Sequence, residues 1–351
     1  MDAPPRLTSP PTPMPLVAGS ELPLATRHDA ALLDLDGVLY VGPNAVPGAA
    51  AAVAQARAAG VRVAFVTNNA SRTPETVAAH LSDLGIVAEP GDVVTSAQAA
   101  ATLVAAVVPA NSAVLVVGGD GLVAAVADRG LRPVHTMAEH PKAVVQGFSP
   151  DVGWRLLAQG TYAVRAGLPW IASNLDLTVP TPEGLAPGNG TLVGVIVSAT
   201  GQHPVVAGKP ETPLHLEAVR RTGAQCPIVV GDRLDTDIEG ANRAGVESLL
   251  VLTGVTTPLD LVLATPQLRP TYVSSDLQTG LLQAHPPVVQ DGPKGGWRCG
   301  DWVCSVGASG IELTGRGDSL NGLRAVCAAV WAEGTAADPA QVRNAISRLE
   351  L

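Results

Sequence analysis

The sequence predicts an α/β fold built on a parallel sheet, with an inserted α/β domain and a small C-terminal α+β extension. Three observations predict it. Short apolar runs alternate with capped or Ala-rich helical stretches, the pattern of parallel strands joined by crossover helices. That alternation breaks off near Ser96 and resumes near Val205, leaving a second α/β pattern between. Composition then shifts after His285: three of five tryptophans and three of four cysteines fall in the last 66 residues.

The elements follow in order. Ala30 to Tyr40, AALLDLDGVLY, is an apolar run broken by two acids and ended by Gly37; it reads as a buried strand whose end enters a loop. Val46 to Ala59 is Ala-rich, closes at Gly60 and predicts a helix. Val61 to Val66 is the next strand, ending in TNNAS, and Thr73-Pro74-Glu75 opens a helix that Gly85 stops. Further helices are expected over Gln98 to Val108 and Leu122 to Arg129, and strands over Ala113 to Gly118, Lys142 to Phe148 and Trp170 to Ser173. Residues 180–194 are turn-rich. Ile228 to Val230 and Ser248 to Leu252 return to buried strands. The tail predicts two or three short strands in WRCGDWVCSV and IELTG, a helix over Leu320 to Ala332 capped by Asp318-Ser319, and another from Pro339. The domain boundaries that follow are a disordered leader over 1–28, a discontinuous core over 29–96 and 205–285, an inserted domain over 97–204, and the extension over 286–351.

Composition excludes several classes. Hydrophobic residues are 46 % and charged residues 15 %, enough for a packed core and too apolar for a disordered chain. The net charge of -9 argues against nucleic acid, which needs clustered Lys and Arg. No apolar run approaches the roughly 20 residues of a membrane helix, and the Pro-rich N-terminus lacks a signal core. Four cysteines in 351 residues make no disulfide framework. A cytoplasmic protein without membrane insertion is expected.

Four constellations carry chemistry. Asp34-Leu35-Asp36-Gly37 crowds two carboxylates at a strand end, where a divalent cation would relieve their repulsion and a turn cluster is the alternative. Thr67-Asn68-Asn69 offers a hydroxyl, an amide and free backbone N–H groups between a strand and a helix, suited to an anion or to a simple helix cap. Gly208-Lys209-Pro210-Glu211 fixes a lysine in a turn at the start of a helix, with an ordinary surface lysine as the alternative. Gly231-Asp232, with Asp235 and Asp237, puts three acids just beyond another strand, which reads as a metal site with a solvated acidic loop as the alternative. Ligands of parallel sheets bind beyond such carboxyl ends.

In this order, and with the GKP form, the motifs resemble the haloacid-dehalogenase (HAD) superfamily of phosphatases over about residues 29–280. The insertion between the second and third motifs is similar to the NagD-like, type II-capped branch. The resemblance implies a Rossmann-like core with a type II cap, and a Mg²⁺-dependent phosphomonoesterase working through an aspartyl phosphate. It implies Asp34 as nucleophile and Asp36 as acid/base, Thr67 and the backbone of Asn68 as phosphate ligands, and Lys209 as the compensating cation. Metal would rest on Asp34, the carbonyl of Asp36 and Asp232, with Asp237 behind it; Asp235 would be a solvated neighbour. Gly37 and Asn69 would approach the substrate. Ser173-Asn174-Leu175-Asp176 matches the TNxD segment of the cap with Ser for Thr, so Asn174 and Asp176 are expected either near substrate hydroxyls or in an Asx turn.

Within the branch, the composition and tail look most like the actinobacterial glycerol-3-phosphate phosphatases. That implies a small phosphorylated metabolite, glycerol 3-phosphate first, and glycerophospholipid head-group recycling. Phosphoglycolate, pyridoxal phosphate, nucleoside monophosphates and sugar phosphates are the alternatives. The branch also implies a homodimer. A phosphotransferase sharing the aspartyl-phosphate step, and a ligand sensor acting through the tail, are the competing classes. Cys299 and Cys304 read as opposed, reduced hairpin cysteines and not as zinc ligands, since no second pair follows. TGRGDSLNG is similar to the pyrophosphate loop of acetyltransferases, although the tail is too short for a whole one.

Overall fold

The structure, a computed structural model, describes residues 16–181, 183–292, 295–308, 310–334 and 336–351. Residues 1–15 of the expected disordered leader lie outside these. The remainder, 16–28, is ordered. Leu16 and Leu24 are buried, the Ser20 and His285 backbones bond each other at 2.7 and 2.8 Å, and Arg27 donates to the Tyr272 hydroxyl at 2.8 Å. The few apolar residues among the prolines find core positions, which outweighs the composition. Packing divides the chain into two compact units, the chain up to Ala64 with Arg221–Leu351, and Phe65–Arg220.

In the first unit four parallel strands lie in the order Tyr272–Ser274, Glu247–Val251, Pro227–Gly231, Ala30–Leu33. Ala30 to Leu33 are all buried, the continuous apolar run of a strand covered on both faces. The strand ends at Leu33 and enters a loop, as the sequence reads. The Leu39 N–H turns back to the Leu35 carbonyl at 2.9 Å, Gly37 adopts φ 78°, and Tyr40–Val41 pairs instead with Asn44–Ala45. Asp34 is thereby left at the strand's end.

The tail forms an antiparallel sheet, Val289–Asp291, Gly296–Cys299, Trp302–Gly307 and Gly310–Thr314, followed by the helices Ser319–Glu333 and Pro339–Ile346. Asp318 caps the first, accepting the Leu320 N–H at 3.0 Å. The two hairpin cysteines are not opposite each other: Cys299 faces Trp302 and Cys304 faces Trp297. All four cysteines are free. Among the described residues the tail shares its core with the parallel-sheet region. Trp302, Leu323, Val326 and Trp331 share one apolar cluster with Leu250, Leu261, Val262 and Val273 of the parallel-sheet region. The Trp331 indole donates to the Val262 carbonyl at 3.0 Å. Buried Arg324 donates to the Val273 carbonyl and to Asn321 Oδ1, both at 2.7 Å.

The second unit holds a five-stranded parallel sheet in the order Val205–Val206, Trp170–Ala172, Ala143–Gln146, Ala113–Val117, Arg132–Val134. Val205–Val206, which the sequence assigned to the core, bonds Ile171–Ala172 of this inserted sheet. The helices Trp154–Arg165 and Asn189–Thr200 cover it through Leu157, Ala163, Val193 and Ile196. The turn-rich stretch 180–194 resolves into a hairpin, Thr178–Thr181 with Gly184–Pro187, and the start of the second of those helices. That helix opens on Gly188-Asn189-Gly190 without a side-chain cap, so it carries no start signal. Outside the inserted sheet, Phe65 to Thr67 pair in parallel with Val93 to Thr95. Thr95 and Gln98 then form a reciprocal capping box on the helix Ser96–Val107.

Arg324→Ala is expected to cost about 2–4 kcal/mol, because it empties a buried volume and leaves the Val273 carbonyl without its donor. The measurement is the urea midpoint by circular dichroism; an unshifted midpoint would show that the tail docks without this side chain.

Candidate active site

The acidic site of the first unit is made by the ends of two neighbouring strands. Asp34 follows Ala30–Leu33, and its N–H bonds the Val230 carbonyl at 2.9 Å. Asp232 follows Pro227–Gly231 and is 1 % exposed; its Oδ2 accepts the Val255 N–H at 2.7 Å. Asp237, also 1 % exposed, lies in the π-helical turn Leu234–Ile238, where its Oδ2 accepts the Arg233 N–H at 3.2 Å. Asp34, Asp232 and Asp237 each bring a carboxylate oxygen within 4.8 Å of the others.

Glycines make this crowding fit. A Cβ on Gly37 or on Gly254 would overlap the Asp232 carboxylate, and one on Gly231 would overlap Asp237. Three hard anionic donors converging from separate segments suit a divalent cation with oxygen ligands. Asp36 is exposed and stands outside the converging trio. Asp235 is exposed and forms a bidentate pair with Arg233 at 3.0 and 2.8 Å; this bonding holds its carboxyl below the usual range. The sequence reading missed Thr253-Gly254-Val255. Thr253 Oγ1 donates to the Gly37 carbonyl, and Gly254 and Val255 both border Asp232. The Thr-Gly pair straight after an apolar strand is the signal that could have found it.

The second unit gathers the remaining residues. Thr67 is buried and its hydroxyl accepts the Asn69 N–H at 3.0 Å. Asn69 is exposed; its Oδ1 accepts the Ser71 N–H and hydroxyl, both at 2.8 Å, and so shapes the turn into the next helix. Lys209 is 4 % exposed, its peptide to Pro210 is cis, and its Nζ lies 3.4 Å from the Val66 carbonyl. Asn68 reaches Lys209 twice, accepting its N–H at 2.8 Å and donating to its carbonyl at 3.1 Å. Asn174 donates to the Asn68 carbonyl at 2.7 Å and to Ser173 Oγ at 3.4 Å, while its Oδ1 accepts the Asp176 N–H at 3.1 Å. These bonds close an Asx turn. Asp176 accepts from the Asn68 amide at 3.2 Å.

A family model described as haloacid dehalogenase-like hydrolase matches residues 31–132, and one described as HAD-hydrolase-like matches 206–279. The D-glycerol 3-phosphate phosphatase of Mycobacterium tuberculosis is 47 % identical over 319 residues, covering 90 % of this chain and 89 % of that protein. The chain belongs to the haloacid dehalogenase-like hydrolases. It is a phosphoric monoester hydrolase of that family. The acid sugar phosphatase of Staphylococcus aureus is 36 % identical over 259 residues, covering 73 % of this chain and 98 % of its own length. The crystal structure of the glycerol phosphate phosphatase of Mycobacterium tuberculosis in complex with magnesium superposes with a TM-score of 0.84 at 44 % identity, covering 94 % of this chain and 99 % of that one. Residues 299–351 match a GCN5-related N-acetyltransferase like domain, the segment that holds TGRGDSLNG. No helix among the described residues is long and apolar enough to cross a membrane.

Six residues beyond Lys209, this hydrolase buries a histidine with no partner. Both ring nitrogens of His215 lack a hydrogen-bond partner among the described residues. Burial, helped by the Lys209 charge, pulls its pKa down to about 3. The ring therefore stays neutral beside the lysine.

Two outcomes follow from this geometry. Gly254→Ala displaces Asp232 and is expected to weaken Mg²⁺ binding about tenfold or more by calorimetry, with far-UV dichroism unchanged; unaltered affinity would separate Gly254 from the acidic site. His215 is expected to make stability pH-dependent. Between its ordinary 6.5 and about 3 the unfolded chain binds a proton that the folded chain refuses, so stability falls as pH drops through that window. His215→Met should flatten that part of the urea-midpoint profile, and an identical slope in the variant would refute the assignment.

Proposed function

We propose that this hydrolase is a Mg²⁺-dependent phosphatase that cleaves glycerol 3-phosphate to glycerol and phosphate. The observation that carries the reading is the Asp34, Asp232 and Asp237 carboxylate trio, in a chain 47 % identical over 319 residues to a D-glycerol 3-phosphate phosphatase.

In this reading the Asp34 carboxylate attacks phosphorus and the bond from phosphorus to the glycerol oxygen breaks, leaving an aspartyl phosphate. Asp36 gives a proton to the departing oxygen. It then takes one from the water that attacks phosphorus, and phosphate leaves as Asp34 is restored. The exposure of Asp36 supports this role, because a proton carrier must reach both leaving group and water. Thr67, the Asn68 N–H and the Lys209 ammonium hold the phosphoryl oxygens as charge moves between them. Asp34, Asp232 and the Asp36 carbonyl would hold Mg²⁺, with Asp237 beside them, and the ion would offset charge on nucleophile and phosphate. Gly37 would approach the substrate, its missing Cβ leaving room for the Asp232 carboxylate, and Asn69 orders the turn that would present the Asn68 N–H.

The finer parts of the reading are a cytoplasmic location and a homodimer. Exposed Trp154, Leu177 and Leu185 on the inserted unit support self-association, which light scattering checks.

The test is a phosphate-release screen with Mg²⁺ and Asp34→Asn as the blank. Glycerol 3-phosphate is expected to exceed phosphoglycolate, pyridoxal phosphate, nucleoside monophosphates and sugar phosphates by about tenfold in kcat/KM, roughly 1.4 kcal/mol of discrimination. A flat profile would overturn the substrate assignment, and turnover by Asp34→Asn would overturn the nucleophile.

A further inference from the structure

Asn68 has more to hold than a phosphate. Its side-chain oxygen accepts the Lys209 N–H at 2.8 Å. Its amide nitrogen donates to the Lys209 carbonyl at 3.1 Å and to the Asp176 carboxylate at 3.2 and 3.4 Å. Its own carbonyl accepts from Asn174 at 2.7 Å and from Ser96 at 2.5 Å. A primary amide has two hydrogens, so one goes to Lys209 and the other to Asp176.

The orientation of the amide is thereby determined twice. Lys209 needs the oxygen facing its N–H and the nitrogen facing its carbonyl. A carboxylate only accepts, so Asp176 also requires the nitrogen on its side, through a charge-assisted bond. Flipping the amide would break both arrangements together. Gly208 tightens the junction, because a Cβ there would overlap both the Ser173 carbonyl and Asn68 Oδ1. The segment Ser173 to Asp176 is thus seated on the backbone that carries Lys209.

We propose that the Asn68 side chain is a positioning residue through which Asp176 of the inserted segment sets the placement of Lys209. Asp176 then acts on turnover through the lysine and not by reading substrate hydroxyls. The proposal rests on the role given to Lys209 above.

The experiment measures kcat and KM for glycerol 3-phosphate and for p-nitrophenyl phosphate, whose aryl group has no hydroxyls. Asp176→Ala is expected to lower kcat about tenfold on both substrates alike, as a misplaced catalytic group does. Asp176→Asn should restore most of it, since its oxygen can accept the same hydrogen. Asn68→Ala should lower kcat by at least as much, and adding Asp176→Ala to it should bring no further loss. A loss confined to KM for glycerol 3-phosphate, with p-nitrophenyl phosphate turnover intact, would overturn the proposal, as would multiplicative losses in the double variant. Should Asn68→Ala not fold, the comparison of Asp176→Ala with Asp176→Asn decides alone. A wild-type enzyme inert on both substrates would instead remove the reading of Lys209 itself.

Discussion

Three carboxylate oxygens brought within 4.8 Å of one another are the constraint that much of the first unit serves. Such a cluster opposes folding unless something compensates it, and the chain supplies both space and support. Parallel strands end side by side, so Asp34 and Asp232 leave neighbouring strands at the same edge. Gly37, Gly231 and Gly254 withhold the Cβ atoms that would fill the corner. Backbone N–H groups of Arg233 and Val255 accept the task of steadying the two most buried carboxylates. A cation completes the balance, which is why the acids are arranged for one.

The second unit solves a different problem, the orientation of a buried lysine. Lys209 is 4 % exposed, and its backbone is gripped from both sides by one amide. Neutral His215 adds no competing positive charge near it. The hydrogen-bonded chain from Ser96 through Asn68 to Asn174 and Asp176 joins three stretches far apart in sequence.

Much of this was legible in the residues. DxDG, TNN, GKP and GDRLDTD stand at strand ends because apolar runs precede them, and periodicity reads apolar runs well. Long-range consequences were less legible. Thr253-Gly254 marks the end of an apolar strand, but only the fold brings its backbone to Asp232. The first strand gives way to a loop at its acids, as the sequence reads; less legible is that Val38, Leu39 and Tyr40, as apolar as the strand itself, are buried in that turn. The helix from Asn189 was hidden by glycines that are required where its first turn meets the Leu175 and Asp176 carbonyls. The leader's prolines outweighed Leu16 and Leu24 in any compositional reading, yet those two side chains decide where residues 16–28 lie.

The shared core of tail and sheet bears on how the chain is made. Residues up to Ala64 and residues from Arg221 belong to one unit, with the whole of the other synthesised between them. A ribosome therefore delivers Phe65–Arg220 complete while Ala30–Leu33 still waits for Pro227–Gly231, its parallel neighbour. Leu250, Leu261 and Val273 emerge next, and the side chains that share their cluster, Leu323, Val326 and Trp331, come later still. Domains usually finish in the order in which they are translated. Here the unit that begins first can close only after the other has been made, because the side chains of Ser319–Glu333 complete its apolar cluster.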